Sequence, residues 1–301
     1  MIEINIDPFM INTARFALSW HGFFSFVGTA MAVILVARWA KSNGIVSDVI
    51  YSTAIWAILA GIVGARLVHV IDYWDFYYAN PLRMFAIWSG GIGLWGAILG
   101  GFIGGALYAY KCKYPIGKLA DLTAPAMLFV QSIGRIGDVI NGEHWAKATS
   151  LPWGVIYTHK DSPAHVTQLM HNANRNVQNL VPEGSLEALA QHPAVIYEII
   201  WNMIALAIVW KVRKRLRPDG MVFVLYLSLY AIGRFTIQFV RLDKVWIFGL
   251  QEAHFISLLI LLITIPLLVF KSRFMKPEEA ILDKKKQSQK PLRKYKSKSK
   301  I

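Results

Sequence analysis

Charged side chains sit inside apolar stretches of this chain: Arg66 in GARLVHV, Arg135 and Asp138 in GRIGDVINGEHW, and Arg234 and Arg241 in GRFTIQFVR. Each costs roughly 2.5–3.5 kcal/mol at the centre of a membrane-spanning helix, so each demands a partner or a function. Tyr230, Arg234, Gln238 and Arg241 recur at intervals of four, four and three, and Gln131, Arg135 and Asp138 at four and three. Those spacings put each set on one helix face, where it can line a cavity. Guanidinium stays charged and binds phosphate oxygens through two parallel hydrogen bonds, so arginines around one cavity suit a phosphate, the nearest being an anionic lipid head group. Two plainer readings stand beside this one. Arg135 with Asp138, or Arg234 with Glu198, can be buried ion pairs that hold a bundle together, and Arg66 and Arg241 can snorkel to the interface. The arginines outnumber the carboxylates near them in sequence, which weights the set toward an anionic ligand.

The elements that must position these residues are membrane helices. Of 301 residues, 55% are hydrophobic and 17% charged, and the mean hydropathy is +0.41, too apolar for a soluble domain of this size. Apolar runs long enough to span fall at about 16–38, 49–73, 86–110, 120–140, 194–210, 221–241 and 252–270. The expected fold is an all-α integral membrane protein of about seven transmembrane helices, residues 1–270, with a small extracytoplasmic head at 142–191 and a basic, disordered cytoplasmic tail at 271–301. The acidic N-terminus and the lack of a small-residue cleavage site after the first apolar run argue that this run is kept as a helix. In the third run, Gly96, Gly100 and Gly104 form a ridge, with Ala97, Gly101 and Gly105 one step round, which lets helix backbones approach closely.

The net charge of +14 is explained by topology rather than by nucleic acid. With the N-terminus outside, most lysines and arginines fall in cytoplasmic loops and in the tail KKKQSQKPLRKYKSKSK, as the positive-inside rule requires. The tail then lies against anionic lipid head groups or is simply solvated. In this topology the arginine-bearing ends of the even helices and the polar starts of the third and fifth, Trp88 and Trp95, His192 and Glu198, share the outer half of the membrane. Cys112 is the only cysteine, which excludes an intramolecular disulfide and a cysteine metal site. His144, His159, His165 and His171 lie in the head without the short ligand pair of a zinc site, and neither a cofactor nor a metal is expected.

GRIGDVINGEHW, HPAVIYEII and GRFTIQFVR, with GARLVHV, IWSGGIGLWGAILGG and Arg-Leu-Asp at 241–243, resemble the prolipoprotein diacylglyceryl transferase family over about residues 18–270. The stretch from Gly134 to Glu143 carries the most specific part. The resemblance implies a bacterial inner-membrane enzyme. It moves the diacylglyceryl group of phosphatidylglycerol, through a thioether, onto the lipobox cysteine of a prolipoprotein signal peptide, and glycerol phosphate leaves. It further implies that Arg135 and Arg234 are essential anion contacts, that Asn141 and Glu143 order the signature loop, that Tyr230 and Arg241 line the cavity, and that His192 is the family histidine before proline.

Two residues depart from the family pattern. Asp138 stands where asparagine is frequent and is expected to pair with Arg135 and weaken phosphate binding, so that Asp138→Asn would be tolerated or would improve turnover. Trp95 stands where many members have histidine, and an indole cannot carry a catalytic proton. Asp138, Glu143, His21 and His192 are then the alternative candidates for the base, unless the arginines alone suffice to form the thiolate, while Trp88 and Trp95 suit the interface or the acyl chains. The competing functions are an anionic-solute transporter, which the scarcity of charge on the inner halves apart from Asp121 disfavours, and an inactive relative that binds lipid or precursor.

Overall fold

The computed structural model of the protein describes residues 1–13, 16–87, 90–164, 190–243, 245–276 and 279. Among them are seven helices of 18 residues or more: α1 (Trp20–Lys41), α2 (Ser47–Asp72), α4 (Leu94–Lys111), α5 (Ile116–Asn141), α6 (Ala194–Val212), α7 (Met221–Gln238) and α8 (Glu252–Lys271), with a short α3 (Trp74–Ala79) after α2. Five of them, α1, α2, α6, α7 and α8, are long and apolar enough to cross a membrane. The chain is a mainly helical, multi-pass membrane protein. The glycines and terminal lysine of α4, and the charges spread along α5, lower the hydropathy of those two.

Several boundaries differ from the sequence reading. Helix α1 starts at Trp20 rather than near 16, because β3 (Ala17–Ser19) pairs antiparallel with β2 (Phe9–Asn12). Helix α4 starts at Leu94 rather than near 86, since Gly90 and Gly91 take left-handed backbone at φ +82 and +79 that a right-handed helix cannot include. Helix α7 ends at Gln238, so Arg241 lies beyond it and is not on the helical face with Tyr230 and Arg234.

The described residues divide into two compact units, one built from the segments within Met1–Ala32 and Thr123–Met275, the other from Val33–Leu122. In the second unit α2 and α4 pack backbone to backbone. A Cβ on Gly100 would lie 3.1 Å from the Ala60 carbonyl carbon and 3.2 Å from Gly64 Cα, and one on Gly104 would lie 2.7 Å from the Trp56 oxygen. Gly101 and Gly105 face Ala57 and Thr53. The bare glycine backbone lets the two helices come close enough for van der Waals contact between their main chains to hold the pair. Gly100→Leu is expected to lower the thermal unfolding midpoint in detergent by several degrees, because its side chain would meet the backbone of Ala60 and Gly64.

In the first unit α7 lies between α6 and α8, over a core of Ala124, Leu128, Ala205, Val209, Val222 and Tyr226. At one end β5 (Leu216–Arg217) pairs with β8 (Arg273–Phe274). At the other, β1 (Ile2–Ile4) pairs in parallel with β4 (Val155–Tyr157), Ala146 bridges Arg241, Ala148 bridges Gln191, and β6 (Val245–Ile247) turns into β7 (Leu250–Gln251) ahead of α8. The N-terminal strand, the segment after α5, the entry to α6 and the α7–α8 turn therefore share one end of this unit. The rest of the head, including His165 and His171, lies outside the described residues, as do Trp88 and the basic tail from 280.

Candidate active site

At that shared end, three arginines converge on one carboxylate. Glu198, in the first turns of α6 and 7% exposed, receives Arg135 Nη2 on Oε2 at 2.7 Å and Arg234 Nη1 on Oε1 at 2.8 Å, with Arg241 Nη1 at 3.4 Å from Oε1. The contacts close into a ring. Arg135 Nη1 reaches Asp138 Oδ2 at 2.6 Å, His144 Nε2 lies 3.4 Å from the same oxygen, and Arg241 Nη2 lies 3.0 Å from His144 Nδ1. Because Nδ1 faces an arginine donor, His144 carries its proton on Nε2 and donates to Asp138. His144 holds this position with a left-handed backbone, φ +67, uncommon for a residue with a Cβ.

Local sequence explains the placement. Helix α5 ends where Gly142 (φ +73) turns the chain, and the Gly142 and Glu143 amides both donate to the Asp138 carbonyl, a C-cap that the Asn-Gly pair favours. Asn141 Nδ2 donates to Glu143 Oε1 at 2.9 Å. Gly137 presents no side chain to α1: a Cβ there would lie 2.6 Å from His21 Cα and 2.7 Å from the Trp20 oxygen. The bare backbone brings the first turn of α1 onto α5, where His21 Nδ1 makes a short contact with Asp138 Oδ1 and lies 3.7 Å from Glu143 Oε2.

Arg241 is anchored from the other side. Its Nε donates to Asp243 Oδ2 at 3.1 Å, its carbonyl accepts from Gln251 Nε2 at 2.9 Å, and Gln238 bonds both Asp243, at 2.6 Å, and Gln251. Burial pushes the Asp243 carboxyl up, but the Gln238 hydrogen bond and the Arg241 charge outweigh it and hold the group below its ordinary range. Its stabilising contribution is therefore complete above the ordinary carboxylate pKa and is lost as pH falls through the lowered value.

The other residues singled out in the sequence take different places. Tyr230, one turn before Arg234, packs its ring 6.3 Å from Tyr226. His192 meets Tyr197 Oη at 3.3 Å and shares a small pocket with Glu143, His144 and Tyr157. Between α6 and α7, an open apolar groove lined by Tyr197, Ile200, Trp201, Gly233 and Ile237 begins one residue from both Glu198 and Arg234. Trp95, half exposed, is in the first turn of α4 in the second unit. Arg66, also in that unit, spends all five of its N–H groups on carbonyls: Nε on Met84, Nη1 on Gly90 and Gly91, and Nη2 on Arg83 and Ala86, at 2.5–3.2 Å. Its guanidinium also lies 5.1 Å from the Tyr77 ring centre. This arginine organises the segment before α4. Arg66→Lys, which keeps the charge and loses the fork, is expected to increase proteolysis of residues 83–91 and to lower the unfolding midpoint.

A model of the prolipoprotein diacylglyceryl transferase family matches residues 8–270. The chain belongs to that family. It is 34% identical over 287 residues to the phosphatidylglycerol–prolipoprotein diacylglyceryl transferase of Dehalococcoides mccartyi, covering 93% of this chain and all of the relative. It is 31% identical to the enzymes of the same name from Gloeobacter violaceus, over 83% of this chain and 87% of the relative, and Staphylococcus aureus, over 88% and 89%. The ring of charges lies wholly within the matched span.

Against the background of this transferase family, three features differ from the sequence reading. The surplus of arginine is absent among the described residues of the ring, where Asp138, Glu198 and Asp243 each meet at least one of Arg135, Arg234 and Arg241. The hub, Glu198, was legible only as a possible partner of Arg234. The stronger signal is that it is the sole acidic residue in the apolar α6 sequence AVIYEIIWNMIALAIVWKV. His144, set aside with the head histidines, belongs to the ring.

Proposed function

We propose that the protein transfers the diacylglyceryl group of phosphatidylglycerol to the thiol of a lipobox cysteine in a prolipoprotein signal peptide, forming a thioether and releasing glycerol phosphate. The reaction takes place in the bacterial cytoplasmic membrane, with seven spans, the N-terminus and the head outside, and the C-terminus in the cytoplasm. The observation that carries this reading is the pair of Glu198 oxygens held between Arg135 and Arg234, with Arg241 on the second oxygen. Two oxygens of one anion, each taken by a different guanidinium, make the same demand as the two non-bridging oxygens of a phosphodiester.

A phosphate enters this site by sharing the arginines with Glu198. As the carbon–oxygen bond breaks, charge grows on the phosphate, and preorganised arginines in a water-poor site stabilise it. Arg135 and Arg234 carry that role. Arg241, tied to Glu198 and His144, and Tyr230 line the site, Asn141 and Glu143 hold the turn after α5, and His192 with Tyr197 borders it. The apolar groove between α6 and α7 suits acyl chains whose head group sits at the ring, and Trp95 suits the lipid interface. The nucleophile belongs to the substrate.

The experiment is transfer of labelled diacylglyceryl from phosphatidylglycerol to a lipobox peptide by the purified protein, with the Cys→Ser peptide as control. Cysteine-dependent labelling is expected. Lipid binding without labelling would assign the chain to an inactive binder, and phosphatidylglycerol-independent passage of an anion through proteoliposomes would assign it to a transporter.

A further inference from the structure

We infer that His21 is the group that removes the proton from the attacking thiol, with Asp138 as its positioning residue. The inference rests on the transferase reading above. A cysteine thiol has a pKa near ~8.5, so most of it is protonated at neutral pH and a base within reach raises the reactive fraction. The side chain of Trp95, where many of the chain's relatives are expected to carry histidine, cannot serve.

The geometry selects among the remaining candidates. Asp138 is 1% exposed and its two oxygens already meet Arg135, His144 and His21, so it is out of a substrate's reach. Glu143 is engaged by Asn141, and His192 faces Tyr197. His21 differs from all three. Its Nδ1 is committed to Asp138, which fixes the tautomer with the proton on Nδ1 and the lone pair on Nε2. Among the described residues Nε2 has no hydrogen-bond partner, and the side chain is 44% exposed against 2% for that of Asp138. The charged groups facing the imidazole are Asp138, Glu143 beyond it at 3.7 Å, and Arg135, bound to the other oxygen of Asp138.

The donor atoms of His21, Asp138 and Glu143 also fall within 4.8 Å of one another, a metal-like spacing. Arg135, 2.6 Å from Asp138, puts a fixed positive charge in that shell and favours the acid–base reading.

In the step, the thiol proton passes to His21 Nε2 and the sulfur lone pair attacks the glycerol carbon that bears the phosphate. The sulfur–carbon bond forms, and the carbon–oxygen bond breaks with its electron pair staying on the phosphate between Arg135 and Arg234. The imidazolium, compensated by Asp138, then returns its proton to the released glycerol phosphate. Because Asp138 holds both His21 and Arg135, one carboxylate sets the geometry of the base and of a phosphate ligand together. This reverses the expectation that Asp138→Asn is tolerated, since an amide can present its N–H to Nδ1 and favour the wrong tautomer.

The test uses the purified full chain with phosphatidylglycerol and two lipobox peptides, one with cysteine and one with selenocysteine, whose selenol is ionised at neutral pH. His21→Ala and His21→Gln are expected to lower kcat for the cysteine peptide by ~10²–10⁴-fold, to abolish the acid limb of the kcat/KM pH profile, and to recover most of the rate with the selenocysteine peptide. Asp138→Asn is expected to lower kcat and shift that limb. Equal loss with both peptides assigns His21 a structural part and overturns the inference, as does a His21→Gln rate within twofold of the parent. A parent protein that labels neither peptide overturns the transferase reading itself, an outcome distinct from an active parent with an indifferent His21.

Discussion

Arg135→Ala is expected to lower kcat for diacylglyceryl transfer by at least ~10³-fold, and Arg234→Ala by a similar factor. Removal of one preorganised donor from a developing oxyanion typically costs ~10²–10³, and each of these arginines supplies a full charge as well as a donor. The conservative variants sharpen the test. Arg135 uses its two terminal nitrogens on different carboxylates, Asp138 and Glu198, a fixed fork that the single nitrogen of lysine does not reproduce, so Arg135→Lys is expected to stay within tenfold of the alanine variant. Arg234 bonds Glu198 through Nη1 and approaches Asp243 only to 3.9 Å through Nη2, so Arg234→Lys is expected to retain more. The rates come from the labelled-lipid assay, with membrane insertion and unfolding midpoint measured alongside. If both alanine variants keep activity within tenfold of the parent, the phosphate contact is elsewhere.

The second large effect is on stability. Glu198→Ala leaves three guanidiniums without their common partner, one of them on Arg241 at 3% exposure. Removing one member of a buried ion pair typically costs about 3–5 kcal/mol, because a charge is left uncompensated. Glu198→Gln keeps hydrogen-bond acceptance and should cost less. If the arginines are a phosphate site, an added anion refills the gap: millimolar glycerol phosphate is expected to raise the unfolding midpoint of Glu198→Ala more than that of the parent, by linkage. Equal shifts in the two proteins would mean that the carboxylate does not occupy the anion position.

The sequence carried the helices well, because spanning apolar runs separated by polar loops leave little choice in a bilayer. It carried the arginines for the same reason, since a charge in such a run is conspicuous. What it could not carry is pairing. That Glu198 meets three arginines depends on the approach of α5, α6, α7 and the turn after α7, and no periodicity within one helix encodes contacts across 36 to 63 positions. His144 was obscured by its head neighbours, and its place follows from a left-handed turn at Gly142 and His144 that the Asn-Gly pair hinted at. Arg241 was placed on a helical face because the four-four-three spacing continues through a helix end that the sequence does not mark with glycine or proline.

The parallel pairing of Ile2–Ile4 with Val155–Tyr157 has a consequence for biosynthesis. A ribosome adds about 5–20 residues per second, so the first strand waits on the order of ten seconds or more for its partner to be made. Helix α1 is made long before that pairing exists to hold its N-terminal flank. Under the positive-inside rule the charges beside it, Arg38 and Lys41 in its last turn, are in place to act before the strand pairing can.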